Sequence, residues 1–198
     1  LADLREWLRR AADDGAWTPR RFELSFGLHD RKSRDAASTE ASVELDCGIT
    51  LRGSIDLVEE DASGALRATD YKTGKAQVSG GKAVVNGGRT LQPVLYALAL
   101  EKLFPEANIE AGRLYYCTSA GGFEEVPIPL DEPARAAADT VAKVIGKALS
   151  EGFLPAAPDT GACEYCEYRA VCGPYEELRT GRKSPERLHD LRVLRKLV

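Results

Sequence analysis

No apolar run in these 198 residues approaches the roughly 20 residues a membrane helix needs. Nor is there a leader with a basic start and an apolar stretch. Both absences point to a cytoplasmic protein away from the membrane. A basic excess is missing too. Lys and Arg number 27 against 31 Asp and Glu, a net charge of −4, which argues against bulk coating of nucleic acid. An even, evenly spread cysteine set is also lacking. The count is five, with Cys163, Cys166 and Cys172 clustered and Cys47 and Cys117 standing alone. This excludes a secreted disulfide scaffold and favours a cytosolic metal or cluster site. The chain has no initiating Met and starts at Leu1 inside a helical pattern, as expected of a fragment of a longer protein.

What is present is ordinary for a soluble globular protein: 43% hydrophobic and 29% charged residues, with length enough for one sizeable domain and its core. Basic residues gather locally at Arg52, Arg67, Lys72, Lys75, Lys82 and Arg89, either a solvated face or a local phosphate contact. Leu1, Leu4, Leu8 and Ala11, beside Trp7, predict a helix over 1–12. Arg21 to Gly27 alternates Phe22, Leu24 and Phe26 against polar neighbours and predicts a half-buried strand. Residues 29–41 read as a mobile polar loop. Further strands are expected over 42–49, 51–59 and 65–72, the last two joined by a turn at Asp61–Gly64. The Gly- and Lys-rich segment 73–89 reads as a flexible connection. A helix over 90–104, capped by Thr90, precedes strands at 109–118 and after Gly122. An Ala-rich helix over 131–150 and a charged amphipathic helix after Ser184 follow. The order predicts an α/β domain, a central mixed β-sheet flanked by helices.

The chemistry concentrates at the hairpin "GSIDLVEEDASGALRATDYKTGKA". Strand side chains alternate faces, so Asp70 and Lys72 share one face. If Asp56 meets Asp70 across the hairpin, two carboxylates approach, and a hard divalent cation such as Mg²⁺ or Mn²⁺ removes their repulsion. Lys72 then stands where its ammonium can position water and stabilise charge building on a phosphate. The competing reading is that Asp56 caps a turn and Asp70–Lys72 is a surface pair. Gln92 and Tyr96, four apart on an otherwise apolar helix, share a face. They could bond a phosphate or the lysine, or satisfy each other.

The stretches "GSIDLV", "ATDYKTGKA" and "LQPVLYALAL", in this order, resemble the RecB-like branch of the PD-(D/E)XK nuclease superfamily, from about Arg21 to Cys172. That branch includes the nuclease domains of AddB-type helicase–nucleases and CRISPR-associated RecB-like exonucleases. The resemblance implies a restriction-endonuclease-like core and Mg²⁺- or Mn²⁺-dependent DNA exonuclease activity in recombination or repair, with a helicase domain or subunit as partner. It implies metal ligation by Asp56, Asp70 and the Tyr71 carbonyl. Lys72, Gln92 and Tyr96 complete the catalytic set, and Glu23 on an early strand supports it. The metal-binding His usual in that branch has no counterpart in His29 or His189.

The run "CEYCEYRAVC" brings three thiols close, which suits an iron–sulfur cluster or, with a fourth ligand, zinc. The resemblance implies that Cys163, Cys166 and Cys172 are three ligands of a [4Fe–4S] cluster whose fourth ligand lies outside this chain. Cys47 and Cys117 are expected as core residues. The expected organisation is a nuclease core over 1–155 and a cysteine segment with helical tail over 156–198. Two alternatives remain open: a catalytically silent DNA-binding or scaffolding module, and a zinc-bound protein-interaction module.

Overall fold

The computed structural model describes residues 1–29, 34–76, 84–164 and 166–198. Lys82, residues 30–33 of the polar segment and 77–83 of the Gly- and Lys-rich one lie outside the described residues. Helix α1 (Ala2–Asp13) leads into β1 (Trp17–Phe26), the short β2 (Val43–Glu44) and β3 (Thr50–Leu51), then β4 (Gly53–Asp61) and β5 (Leu66–Lys72). Helix α2 (Gln92–Leu103) connects to β6 (Ile109–Tyr116) and β7 (Glu125–Pro129). Helix α3 (Glu132–Ser150) follows, then the short α4 (Arg169–Cys172), α5 (Glu176–Thr180) and α6 (His189–Leu194).

Five strands form one sheet in the order β1-β4-β5-β6-β7, and β2 pairs with β3 separately. The β4–β5 hairpin is set by its turn. The Asp61 carboxylate accepts from the backbone N–H groups of Ser63 and Ala65, and Gly64 closes the turn at φ +86°, where a side chain would be strained. From β5 the chain returns in parallel to β6. Parallel neighbours need a crossover, and α2 supplies it. Helix α2 presses so closely on β6 that a Cβ at Gly112 would stand 2.0 Å from the Pro93 carbonyl oxygen. Helix α3 is started by Asp131, whose carboxylate accepts from the Ala134 N–H at 3.0 Å, and it buries Ala134, Ala137, Ala138, Val141 and Ala142 at helical spacing. Leu24, Phe26, Ile55, Val58, Val94, Leu100, Val126 and Val141 are among the fully enclosed core residues. A mixed sheet flanked by helices, with a restriction-endonuclease-like arrangement, is the fold expected from the sequence.

The departures have local causes. The expected strand 42–49 breaks at Asp46–Gly48, because Gly48 takes φ +84° and its N–H turns back to the Leu45 carbonyl at 2.9 Å. Residues 35–39 are pinned to β1 rather than free, through Gly27 N–H to Thr39 O, Thr39 N–H to Ser25 O and Ser25 N–H to Ser38 Oγ. Phe22 is exposed although Leu24 and Phe26 are buried. Glu23 between them adopts φ 53°, which interrupts the strict alternation. Helix α2 begins at Gln92 without a side-chain cap, with Pro93 in its first turn in place of the expected Thr90 start. The tail after Ser184 contains only the six-residue α6. Its Leu194 and Leu197 pack on the core, and the Val85 and Gly87 N–H groups donate to the carbonyls of Val198 and Leu197.

Candidate active site

The two sheet faces carry different chemistry. Strand pairing sets Ala68 beside Gly112 and Asp70 beside Leu114, so the face bearing Asp70 and Lys72 is the one that α2 covers. The opposite face bears Thr69, Tyr71, Arg113 and Tyr115. There α1 lies against the sheet, with the Trp7 ring meeting Tyr71 edge-on at 5.6 Å. Leu4 and Leu8 of α1, and Leu1 just before it, are exposed.

On the α2 side, four residues singled out from the sequence come together. Val58↔Ala68 and Leu57↔Thr69 are ladder partners; one step further along this register, Asp56 stands opposite Asp70. The regular ladder ends there, and the Tyr71 N–H donates to Asp56 Oδ2 at 2.9 Å. One Asp56 oxygen thus caps backbone of the neighbouring strand and not a turn, and Asp70 is interior, which departs from the competing reading of a turn cap with a surface pair. Asp70 is buried, and its Oδ2 accepts no hydrogen bond of good geometry. The nearest charge is Lys72 Nζ, 2.6 Å from that oxygen. The same ammonium donates to Gln92 Oε1 at 2.7 Å. Burial raises the Asp70 carboxyl above its ordinary pKa, Lys72 opposes that rise, and Asp56 adds to it.

Glu23 and Tyr96 stand at the edge of this group. Phe22↔Leu57 and Leu24↔Ile55 pair on either side of Glu23, which sets it opposite Asp56. Its Oε2 accepts from Ser54 Oγ at 3.2 Å. The Tyr96 ring packs edge-on to Phe26 at 6.4 Å and lies over Gly53. Gln92 bonds the lysine, so the expected alternative of a self-satisfied Gln–Tyr pair does not hold for its Oε1. Cys47 is half-buried against the core, whereas Cys117, also half-buried, rests its Sγ 3.6 Å from the Lys72 carbonyl oxygen. His29 is exposed beside Glu40 at 3.5 Å, and His189 is exposed beside Asp190; neither joins the site.

Among the described residues no three His, Cys, Asp or Glu side chains are grouped to hold a metal ion. For a hard cation this is no obstacle. Mg²⁺ keeps several waters and is held by one or two carboxylates. A carboxylate pair with one buried oxygen lacking a hydrogen bond fits such an ion. The cysteine segment is different. Cys163, Cys166 and Cys172 line one cavity of about 470 Å³ together with Glu176 and Glu177, and neither Asp56 nor Asp70 borders it; all five cysteines are free thiols. Structural zinc and [4Fe–4S] sites take four ligands. Three ungrouped thiols do not fit a complete site of either kind.

A buried ionic network on the α1 side was not anticipated. Glu59, on β4, accepts two bonds from Arg67, through Nε at 2.8 Å and Nη2 at 3.1 Å. It also accepts from Arg113 Nη2 at 2.8 Å and from Thr69 Oγ1. Arg113 continues to Glu125 at 2.6 Å, and Arg67 lies 4.3 Å over the Trp17 ring. Arg67 is therefore interior and leaves the basic face, whereas Arg52, Lys75 and Arg89 are exposed. The register pairs Glu59 directly with Arg67, and counting back from the Asp61–Gly64 turn would have found that pair.

Compared with known families, residues 1–173 match the PD-(D/E)XK nuclease superfamily. No curated protein matches the chain. Among the described residues no helix is long and apolar enough to cross a membrane.

Proposed function

Because the chain belongs to the PD-(D/E)XK nuclease superfamily, whose members are generally nucleases, we propose that it hydrolyses DNA phosphodiesters with Mg²⁺ or Mn²⁺ at Asp56, Asp70 and Lys72. The observation that carries this reading is the Lys72 ammonium, held between Asp70 and Gln92 beside Asp56 on one sheet face. A bound divalent cation supplies Lewis acidity toward a phosphoryl oxygen. The chain's own groups do the rest. Asp56 and Asp70 would hold such a cation through carboxylate oxygens, together with the Tyr71 carbonyl. Lys72 carries positive charge toward the phosphate, where negative charge grows as water adds to phosphorus and the ester oxygen departs. The proton released by water ends on that departing oxygen or in solvent. Gln92 and Tyr96, on the first two turns of α2, orient the lysine and border the strand end. Glu23 supports Asp56 from the neighbouring strand.

The finer reading is an exonuclease working with a helicase in recombination or repair. Its support is the likeness of "GSIDLV", "ATDYKTGKA" and "LQPVLYALAL" to the RecB-like branch. The test is Lys72→Ala. Cleavage of DNA in Mg²⁺ is expected to fall by about 10² or more, while gel-shift affinity changes little, since one cation is a small part of a multi-phosphate footprint. Unchanged cleavage would exclude Lys72 from the reaction and leave a silent DNA-binding module as the better reading.

A further inference from the structure

Lys72 is bonded in a way that its role toward phosphate does not require. Its Nζ stands 2.6 Å from Asp70 Oδ2, the buried oxygen that accepts no hydrogen bond of good geometry. Asp56 stands opposite Asp70 by the strand register, so a cation shared by the two carboxylates would take a place beside the same carboxylate that the ammonium now neutralises. The ammonium and a divalent cation cannot both neutralise it at contact distance, because two positive charges a few ångströms apart repel. The lysine has a second partner that is uncharged: Gln92 Oε1, 2.7 Å away, at the first turn of α2. With its side chain about one-third exposed, Lys72 has room to shift.

We infer that Lys72 is a displaceable counter-cation. Without metal it neutralises Asp70 while also donating to Gln92, and cation binding breaks the Asp70 contact and leaves the ammonium on Gln92, free to turn toward the phosphate. This rests on reading Asp56 and Asp70 as a divalent-cation centre, and it adds that the lysine opposes the metal as well as assisting the reaction. The arrangement stores Asp70 in a neutralised form, and Gln92 becomes a parking acceptor rather than a phosphate ligand.

The experiment is equilibrium Mn²⁺ binding without DNA, read by electron paramagnetic resonance of free Mn²⁺ at constant neutral pH. A neighbouring cation changes a carboxylate's affinity for a proton by about one to three orders of magnitude. For this partly exposed lysine the lower end applies, so Lys72→Gln is expected to bind Mn²⁺ roughly tenfold more tightly. Lys72→Arg, whose guanidinium grips a carboxylate with two bonds, is expected to bind it more weakly. Gln92→Leu removes the parking acceptor and is expected to weaken Mn²⁺ binding only while Lys72 is present; the double variant Lys72→Gln, Gln92→Leu should match Lys72→Gln. A purely structural lysine would not produce that dependence. Equal or weaker binding by Lys72→Gln, with an unchanged circular dichroism spectrum, overturns the inference. Should that variant not fold, tighter or unchanged binding by Lys72→Arg overturns it. If Asp70→Asn leaves Mn²⁺ binding unchanged, or the wild-type protein binds none, the cation-centre reading itself fails. Normal loss in Asp70→Asn with no effect of Lys72→Gln removes only the displacement.

Discussion

Replacing Glu59 by Gln keeps the side chain's shape and removes its charge. Glu59 is 6% exposed, and the guanidiniums it joins are 8% and 3% exposed at Arg67 and Arg113. Neutralising it leaves two buried cations opposed, among the described residues, by Asp14, at 3.4 Å from Arg67, and Glu125, at 2.6 Å from Arg113. Removing one partner of a buried ionic group costs about 3–5 kcal/mol, whereas replacing the whole group by apolar side chains of similar volume is often neutral or better. For a protein of this size each kcal/mol moves Tm by about 2–4 °C. Glu59→Gln is therefore expected to lower Tm by about 6–20 °C, and the triple variant Glu59→Leu, Arg67→Met, Arg113→Met to recover most of that loss. Urea titration followed by far-ultraviolet circular dichroism gives both free energies, provided the denaturant slope is unchanged. A single variant within about 1 kcal/mol of wild type would refute the reasoning. So would a triple variant as unstable as the single one, since the cost would then not lie in unpaired charge.

Gly112→Ala should be more damaging than its exposed counterparts, because the new methyl meets Pro93 backbone at 2.0 Å and must lift α2. A loss of about 2 kcal/mol or more is expected, with weaker Mn²⁺ binding because Gln92 adjoins Pro93; wild-type stability on urea titration would contradict the close approach. Burial first, and then Glu59 and Glu125 respectively, raise the phenols of Tyr71 and Tyr115 above the ordinary value of 10.0. The folded protein thus holds these protons more tightly than the unfolded chain does. Their contribution is present below pH 10 and is lost as pH rises through that value toward the folded ones. Absorbance at 295 nm should show two tyrosines titrating late or only with unfolding, and a single ordinary titration of all seven would disprove it. Anaerobic reconstitution of the 198-residue chain with iron and sulfide should yield well under one cluster per chain, because three thiols are available in the segment; one full [4Fe–4S] per chain by metal and sulfide analysis would show that a fourth ligand is present.

The residues most legible in the sequence were those whose position follows from period two and one tight turn. Asp61 and Gly64 announce the hairpin, the hairpin sets the register, and the register sets Asp56 opposite Asp70. Gln92 was legible as a polar residue on an apolar helix with the lysine among its candidate partners, but the choice between them was not, because which group meets Lys72 depends on how α2 seats on β6. Arg67 was misread for a physical reason. A charged residue in a strand looks solvated unless its cross-strand neighbour is considered, and Glu59 is that neighbour. The break at Asp46–Gly48 turns on the positive φ of Gly48, which the pattern of apolar residues does not register, and the pinning of residues 35–39 depends on backbone partners more than ten residues back in β1. Phe22 shows how one residue at positive φ, Glu23, can turn an apolar side chain outward where strict alternation would bury it.

The pairing of β5 with β6 in parallel has a consequence for the order in which the protein folds. The β4–β5 hairpin closes through a four-residue turn, an event of about 1–10 μs in isolated hairpins, and it brings Asp56 and Asp70 together by itself. Gln92 arrives only when the chain from Lys72 to Ile109 has crossed over and docked, a non-local closure that is slower. The carboxylate pair is thus expected to be born before its lysine has an anchor. During refolding, pulse-labelled amides of β4 and β5 should gain protection ahead of those in β6, with α2 following β5 rather than leading it. A nascent chain at that stage holds two adjacent acids and a loose ammonium, a cation trap without a finished reaction centre.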